Sequence, residues 1–305
     1  MSGCTTAPPN RDGTPAKDSG AKTYGGSGPI KVTVTTGMIA DIVQNVGGDH
    51  VAVTGLMGPG VDPHLYKASQ SDIATLTGAD IIFYNGLHLE GKIGEVLGKM
   101  GRRKPVVAVC ENIDPKLLRK PAAFAGHPDP HVWFDVSLWM KAAEAARDAL
   151  ARFDPAHRDD YQKNATAYLA QLKTLHVEVK EQLATIPKQQ RVLVTAHDAF
   201  GYFGRAYAVE VVGLQGISTA GEYGLKDVQR LVDLIVKRSV KAVFVESSVS
   251  RRSIDAVVQG AAARGHKVAV GGTLFSDAMG AAGTPEGTYM GMVRANVNTI
   301  VKALK

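Results

Sequence analysis

The sequence predicts an α/β protein of two lobes, each with a mainly parallel sheet flanked by helices, joined by one long backbone helix. Three observations predict it. Apolar β-type runs alternate with helix-period stretches in both halves of the 305 residues. Between the halves, Pro155 to Ile186 runs without Gly or internal Pro and is rich in Ala, Leu, Lys, Gln and Glu. A faint internal repeat sets Val34-Thr35 to Gly55-Leu56 against Val194-Thr195 to Gly213-Leu214.

Order is expected to begin at Ile30-Lys31-Val32-Thr33-Val34-Thr35, which alternates as a half-buried strand does. A helix follows with Met38, Ile39, Ile42, Val43 and Val46 on one face, closed by Gly47-Gly48. Val51-Ala52-Val53 is the second strand, and a Gly- and Pro-rich loop leads on to His64. A helix over about Ser69 to Leu76 and the strands Ile81-Ile82-Phe83-Tyr84 and Val106-Val107-Ala108-Val109 complete the first lobe. The linking stretch, at about 1.5 Å per residue, spans ~45 Å as a helix, with Asp154 as N-cap, Pro155 in its first turn and Pro187 at its end. One stiff helix between lobes predicts restricted hinge motion. The second lobe restarts with Val192-Leu193-Val194-Thr195. It continues through Val209-Glu210-Val211-Val212, a helix from Leu225 to Lys237, Ala242-Val243-Phe244-Val245, a helix from Arg252 to Ala263, and Val268-Ala269-Val270. The expected boundaries are a flexible tether over 1–29, a first lobe over 30–153, the linking helix over 154–187 and a second lobe over 188–305.

Hydrophobic residues at 45% and charged residues at 21% suit a globular chain with ordinary cores. No apolar run reaches the roughly 18 residues a membrane-spanning helix needs. The net charge of +6 is spread without an aromatic-basic stripe, which argues against nucleic acid as a partner. Of the two cysteines, Cys110 ends an apolar run and reads as a buried thiol. Cys4, in Ser2-Gly3-Cys4, resembles the end of a bacterial lipoprotein signal, although only Met1 stands where the apolar leader is expected. Thr5 to Pro29 carries almost no large apolar residues and cannot offset its ordering entropy by burial, so it reads as a linker behind a lipid-bearing Cys4.

His64, His131, His197 and Asp277 each sit just past an apolar run or beside an aromatic cluster. Ligands of open parallel sheets bind outside the carboxyl ends of the strands, and two of these residues come from each lobe. Imidazole and carboxylate are the donors that divalent first-row transition metals take, so the four together predict a metal site in the cleft. A single His at a strand end is more often a satisfied structural residue, and His50, His88, His157, His176 and His266 are read that way. His127, four residues before His131 in an irregular Gly-Pro context, is the rival ligand. Asp198, Glu246 and Ser247 are candidates to orient the ligand imidazoles. Neutral imidazoles are required, so binding is expected to weaken below about pH 6.5.

Four motifs carry a family likeness: Met57-Gly58-Pro59-Gly60-Val61-Asp62-Pro63-His64, Asp129-Pro130-His131-Val132-Trp133-Phe134-Asp135, Val194-Thr195-Ala196-His197-Asp198-Ala199-Phe200-Gly201-Tyr202 and Leu274-Phe275-Ser276-Asp277. In this order, across about residues 30 to 305, the chain resembles the metal-binding lipoproteins of bacterial ABC importers for manganese and zinc, the TroA/ZnuA-like family. The resemblance implies capture of one Mn²⁺ or Zn²⁺ outside the cytoplasmic membrane and its delivery to an ABC permease with a cytoplasmic ATPase. It further implies a monomer held to the membrane by an N-terminal lipid anchor, with His64, His131, His197 and Asp277 as ligands. Manganese-selective members often have Glu where this chain has His197. Zinc-selective members often carry a His- and acid-rich loop, and Glu111 to His127 shows no such enrichment. Two other readings compete. A metallohydrolase needs an open coordination position, and the chain has neither a His-Glu-x-x-His nor a Gly-x-Ser-x-Gly motif. A surface adhesin with a structural metal would unfold on chelation.

Overall fold

The computed structural model describes residues 23–305. Cys4 and most of the expected tether lie outside them. In the first lobe, β1 (Ile30–Val34), α1 (Gly37–Gly47), β2 (Val51–Gly55), α2 (Gln70–Gly78), β3 (Ile81–Tyr84), α3 (Gly94–Gly101) and β4 (Val106–Ala108) alternate in sequence. The strands pair in parallel in the order β2-β1-β3-β4. Helix α1 buries the predicted stripe of Met38, Ile39, Ile42, Val43 and Val46. Ser69 starts α2 through a reciprocal capping box with Asp72, which satisfies two otherwise orphaned donors.

Helix α4 (Val136–Phe153) is capped by the Asp135 carboxylate, and α5 (Arg158–Ala184) is the long connection between the lobes. Its 27 residues span about 40 Å. It begins later than the sequence predicts. Pro155–His157 forms a 3₁₀ turn, and Asp154 accepts hydrogen bonds from the Tyr161 hydroxyl and His157 Nδ1 instead of capping α5 directly. Tyr161, Ala165, Tyr168, Leu172, Leu175, Val179 and Leu183 make the buried stripe of α5, which lies against α1, α4 and the C-terminal helix α9 (Tyr289–Leu304).

The second lobe consists of β5 (Val192–His197), α6 (Gly201–Tyr207), β6 (Glu210–Gln215), α7 (Leu225–Arg238), β7 (Ala242–Glu246), α8 (Arg252–Ala263) and β8 (Ala269–Leu274), with α9 closing the chain. The strands form two hydrogen-bonded parallel pairs, β5–β6 and β7–β8, rather than one continuous ladder. Strand β5 lies beside β7, so the neighbour order β6-β5-β7-β8 repeats that of the first lobe. The internal repeat has a structural counterpart. Val34 pairs with Gly55 across β1–β2, while in β5–β6 the register is offset by one residue, with Val194 against Val212 and Thr195 against Gly213. The main hydrophobic core is continuous through both lobes and includes Ile30 and Phe83 of the first, Leu193 and Phe244 of the second, and much of α4, α5 and α9.

Candidate metal centre

The carboxyl ends of β2, β5 and β8, with the 3₁₀ turn Val132–Phe134, deliver four side chains to one point. His64 follows the loop after β2, His131 precedes the turn, His197 is the last residue of β5 and Asp277 lies three residues past β8. The sequence placed His197 two residues beyond its strand; the ladder instead runs on to pair His197 with Gln215. All four are buried, none more than 3% exposed. Their donor atoms lie within 4.8 Å of one another. His64 Nε2 is 3.3 Å from His131 Nε2, His131 Nε2 is 3.4 Å from Asp277 Oδ1, and His197 Nε2 is 3.3 Å from Asp277 Oδ2. A tetrahedral ion with bonds of about 2.0–2.1 Å separates its ligand atoms by ~3.3–3.4 Å; these three pairs match that separation, and His64 Nε2 stands wider from Asp277 Oδ2, at 3.9 Å. His197 Nε2 and both Asp277 oxygens are buried without a hydrogen-bond partner. Buried polar atoms are almost always paired, and three orphans converging on one point are what a cation satisfies.

Carboxylates behind the ring nitrogens fix two of the imidazoles. Asp129 Oδ1 accepts from the His131 N–H at 3.0 Å and lies 2.8 Å from Nδ1, which turns Nε2 inward. Glu246 does the same for His197, at 2.8 Å from its N–H and 2.5 Å from Nδ1. His64 is braced only through its backbone N–H, which donates to Asp62 Oδ1 at 2.8 Å. Burial pushes the His64 imidazole down to about 3. Burial pushes His131 down too, but the Asp129 and Asp277 carboxylates outweigh it and hold the ring up at about 9. Glu246 and Asp277 likewise overcome burial and raise His197 well above the ordinary imidazole range. Burial would raise the Asp277 carboxyl, but His197 and His131 hold it well below the usual carboxylate range. Without metal, the site sets an anionic Asp277 carboxylate between two imidazoles, His131 and His197, that favour holding protons, beside a His64 ring that favours the neutral form.

Of the three proposed orienting residues, Glu246 contacts the His197 ring directly. Asp198 sits near the Asp129 carboxylate, and burial with that neighbour pushes its carboxyl up. Ser247 Oγ is buried without a hydrogen-bond partner among the described residues. His127 is exposed and lies outside the cluster, its ring 4.4 Å from that of His88. His50 pairs with Asp160 and stacks on His157, while His176 and His266 bond to Tyr207 and the Val240 carbonyl. Cys110 is a free, buried thiol. Sequence reasoning missed Asp129. The available signal was the tripeptide Asp-Pro-His, which occurs at 62–64 and again at 129–131. In both copies the Asp side chain accepts from the His backbone N–H two residues on, a local turn that sets the direction of the ring.

Comparison with known proteins agrees with this geometry. The profile of the family described as zinc-uptake complex component A, periplasmic (ZnuA) matches residues 32–303. The manganese-binding lipoprotein MntA of Bacillus subtilis (strain 168) is 55% identical over 276 residues, covering 90% of this chain and 90% of its own. The zinc-binding protein TroA of Treponema pallidum (strain Nichols) is 48% identical over 287 residues, covering 93% and 92%. A solved structure of the periplasmic zinc-binding protein TroA from Treponema pallidum superposes with a TM-score of 0.89 at 48% identity, covering 91% of this chain and 99% of that one.

Proposed function

Because this chain belongs to the ZnuA family, we propose that it captures one Mn²⁺ or Zn²⁺ outside the cytoplasmic membrane and delivers it to an ABC permease driven by a cytoplasmic ATPase. His64, His131, His197 and Asp277 hold the ion, and a monomer is tethered through a lipid on Cys4. The observation that carries this reading is the convergence of three unpartnered buried atoms, His197 Nε2 and both Asp277 oxygens, on the Nε2 atoms of two further imidazoles. Three buried imidazoles and a buried carboxylate exceed the three protein ligands that a catalytic zinc site usually supplies alongside its water. That favours a binding protein over a metallohydrolase. Three imidazoles give zinc the higher intrinsic affinity. Both Asp277 oxygens face imidazole nitrogens, at 3.4 and 3.3 Å, which suits a bidentate carboxylate and the higher coordination number manganese takes.

Metal analysis after refolding without metal and reloading with Zn²⁺ or Mn²⁺ tests the proposal. It expects one tightly held ion per chain, lost in Asp277→Ala, with the fold retained on chelation. Substoichiometric binding to the parent protein overturns it. Unfolding on chelation favours the structural-metal reading instead.

A further inference from the structure

We propose that Arg119 is a positioning residue that makes the orientation of the His131 imidazole depend on contact between the two lobes; this rests on the reading of His131 as a ligand. Arg119 lies in the first lobe, in the long loop between β4 and α4. Its Nη1 is 2.5 Å from Asp129 Oδ2, while the other oxygen of that buried carboxylate holds the His131 ring. The backbone repeats the link, with the Asp129 N–H donating to the Arg119 carbonyl at 2.8 Å.

The seat for this guanidinium belongs to the second lobe. A Cβ built on Gly201, the first residue of α6, would stand 1.2 Å from Arg119 Nη1 and 2.0 Å from Cζ, so the group occupies the space that the missing side chain leaves. The next residue, Tyr202, places its ring under the guanidinium with Cζ 5.8 Å from the ring centroid. Its hydroxyl donates to the Asp129 carbonyl at 2.9 Å and accepts from the Arg119 N–H at 3.1 Å. A cation gains nothing from the dipole at a helix N-terminus, so Asp129 is what keeps the guanidinium there. Conversely, Asp129 is a wholly buried carboxylate that needs its cation. Loosening of the Arg119 loop from Gly201 and Tyr202 relaxes its grip on Asp129 and frees the His131 ring to turn. Metal release and loss of this contact between the lobes thereby become one event.

The test combines zinc dissociation rates, from stopped-flow mixing with a chelator, with ring-nitrogen NMR of His131 in the metal-free protein. Arg119→Ala and Gly201→Ala are each expected to speed zinc release about 10–100-fold, the usual effect of losing a group that orients a ligand. Both should shift the His131 Nδ1–H resonance out of its hydrogen-bonded position, and Arg119→Lys should restore part of each effect. On an Asp129→Asn background, Arg119→Ala should add nothing further. Release within twofold of the parent in Arg119→Ala overturns the proposal, as does full additivity with Asp129→Asn or an unchanged His131 resonance. If Gly201→Ala does not fold, the Arg119 series decides alone. A parent protein that fails to retain zinc counts against the transport reading, and the NMR comparison still tests the link from Arg119 to His131.

Discussion

Metal binding to this site must expel protons, and the structure sets the scale. His131 is held up at about 9 because Asp129 and Asp277 outweigh burial, and His197 is raised by Glu246 and Asp277. Both rings present Nε2 to the centre, and a metal needs that nitrogen bare. At pH 7, deprotonating His131 crosses about two pH units, which costs ~2.7 kcal/mol. Apparent affinity should therefore rise about 50-fold between pH 7 and pH 9 from this ring alone, a higher window than ordinary imidazoles give. Stability of the metal-free protein should move the opposite way. A raised His131 contributes stability that is fully present below about 6.5 and is lost as pH climbs through about 9. Calorimetric titration of zinc at pH 7 in two buffers of different ionisation enthalpy counts the protons released, with at least one per ion expected. A chelator competition series from pH 6.5 to 9 gives the slope. A heat independent of buffer, together with flat affinity over that range, would mean that His131 sheds no proton when the ion binds.

Two substitutions probe the supports around the site. Glu246→Gln removes the charge facing His197 Nδ1 and should weaken zinc binding about 10–100-fold and, because that buried charge also holds up the His197 ring, lower the metal-free melting temperature; affinity within twofold would remove Glu246 from the site. Gly213→Ala places a Cβ 2.5 Å from the Asp198 nitrogen and 2.7 Å from the His197 carbonyl carbon, so β6 must back away from β5. It should cost ~1–3 kcal/mol, read as a lower metal-free melting temperature, and an unchanged melt would show that the ladder adjusts freely.

The elements that could be read from the sequence were those with a strong period. β1, β3, α1, α7 and α8 stand where an apolar run or a helical stripe placed them, because the strands are buried on both sides of the sheet and each helix buries one face. Short or locally ambiguous elements were not read. α6 spans seven residues of Gly-Tyr-Phe-Gly-Arg-Ala-Tyr, in which two glycines mask a helix that tertiary packing stabilises. α3 is equally short and carries three glycines. The division of the second sheet into pairs leaves no compositional trace, and neither does the irregularity between Val243 and Phe244 within the β7–β8 ladder. For the site, four positions past apolar runs were enough to bring the same four side chains into view. The carboxylates behind them were harder. Glu246 ends an apolar strand and could be suspected, whereas Asp129 reads as part of a turn until its ring partner is in place.

The continuous core bears on how an ion buried this deeply can leave. Trp133, Trp139, Phe200 and Tyr289 are fully buried in one cluster that draws on both lobes. Trp133 Nε1 donates to the Ser276 carbonyl and Tyr289 Oη to the Trp133 carbonyl, so the lobes are stitched beside the site itself. Exposing even two such side chains costs ~3–6 kcal/mol, which penalises a rigid-body hinge about α5. The segments that carry His64 and His131 are irregular, and their hydrogen bonds to the second lobe run from Thr219 to Asp62 and through Tyr202 to Arg119 and Asp129. Exchange should therefore proceed by loosening of the loops around residues 57–64 and 119–131, with α5 and α9 held. Amide hydrogen exchange separates the two routes, because a hinge strains the helices whereas loop release leaves them alone. On metal removal, protection should fall in those loops and stay unchanged in α5. A parallel loss of protection along α5 would mean that the lobes do swing apart and that the shared core yields to let them.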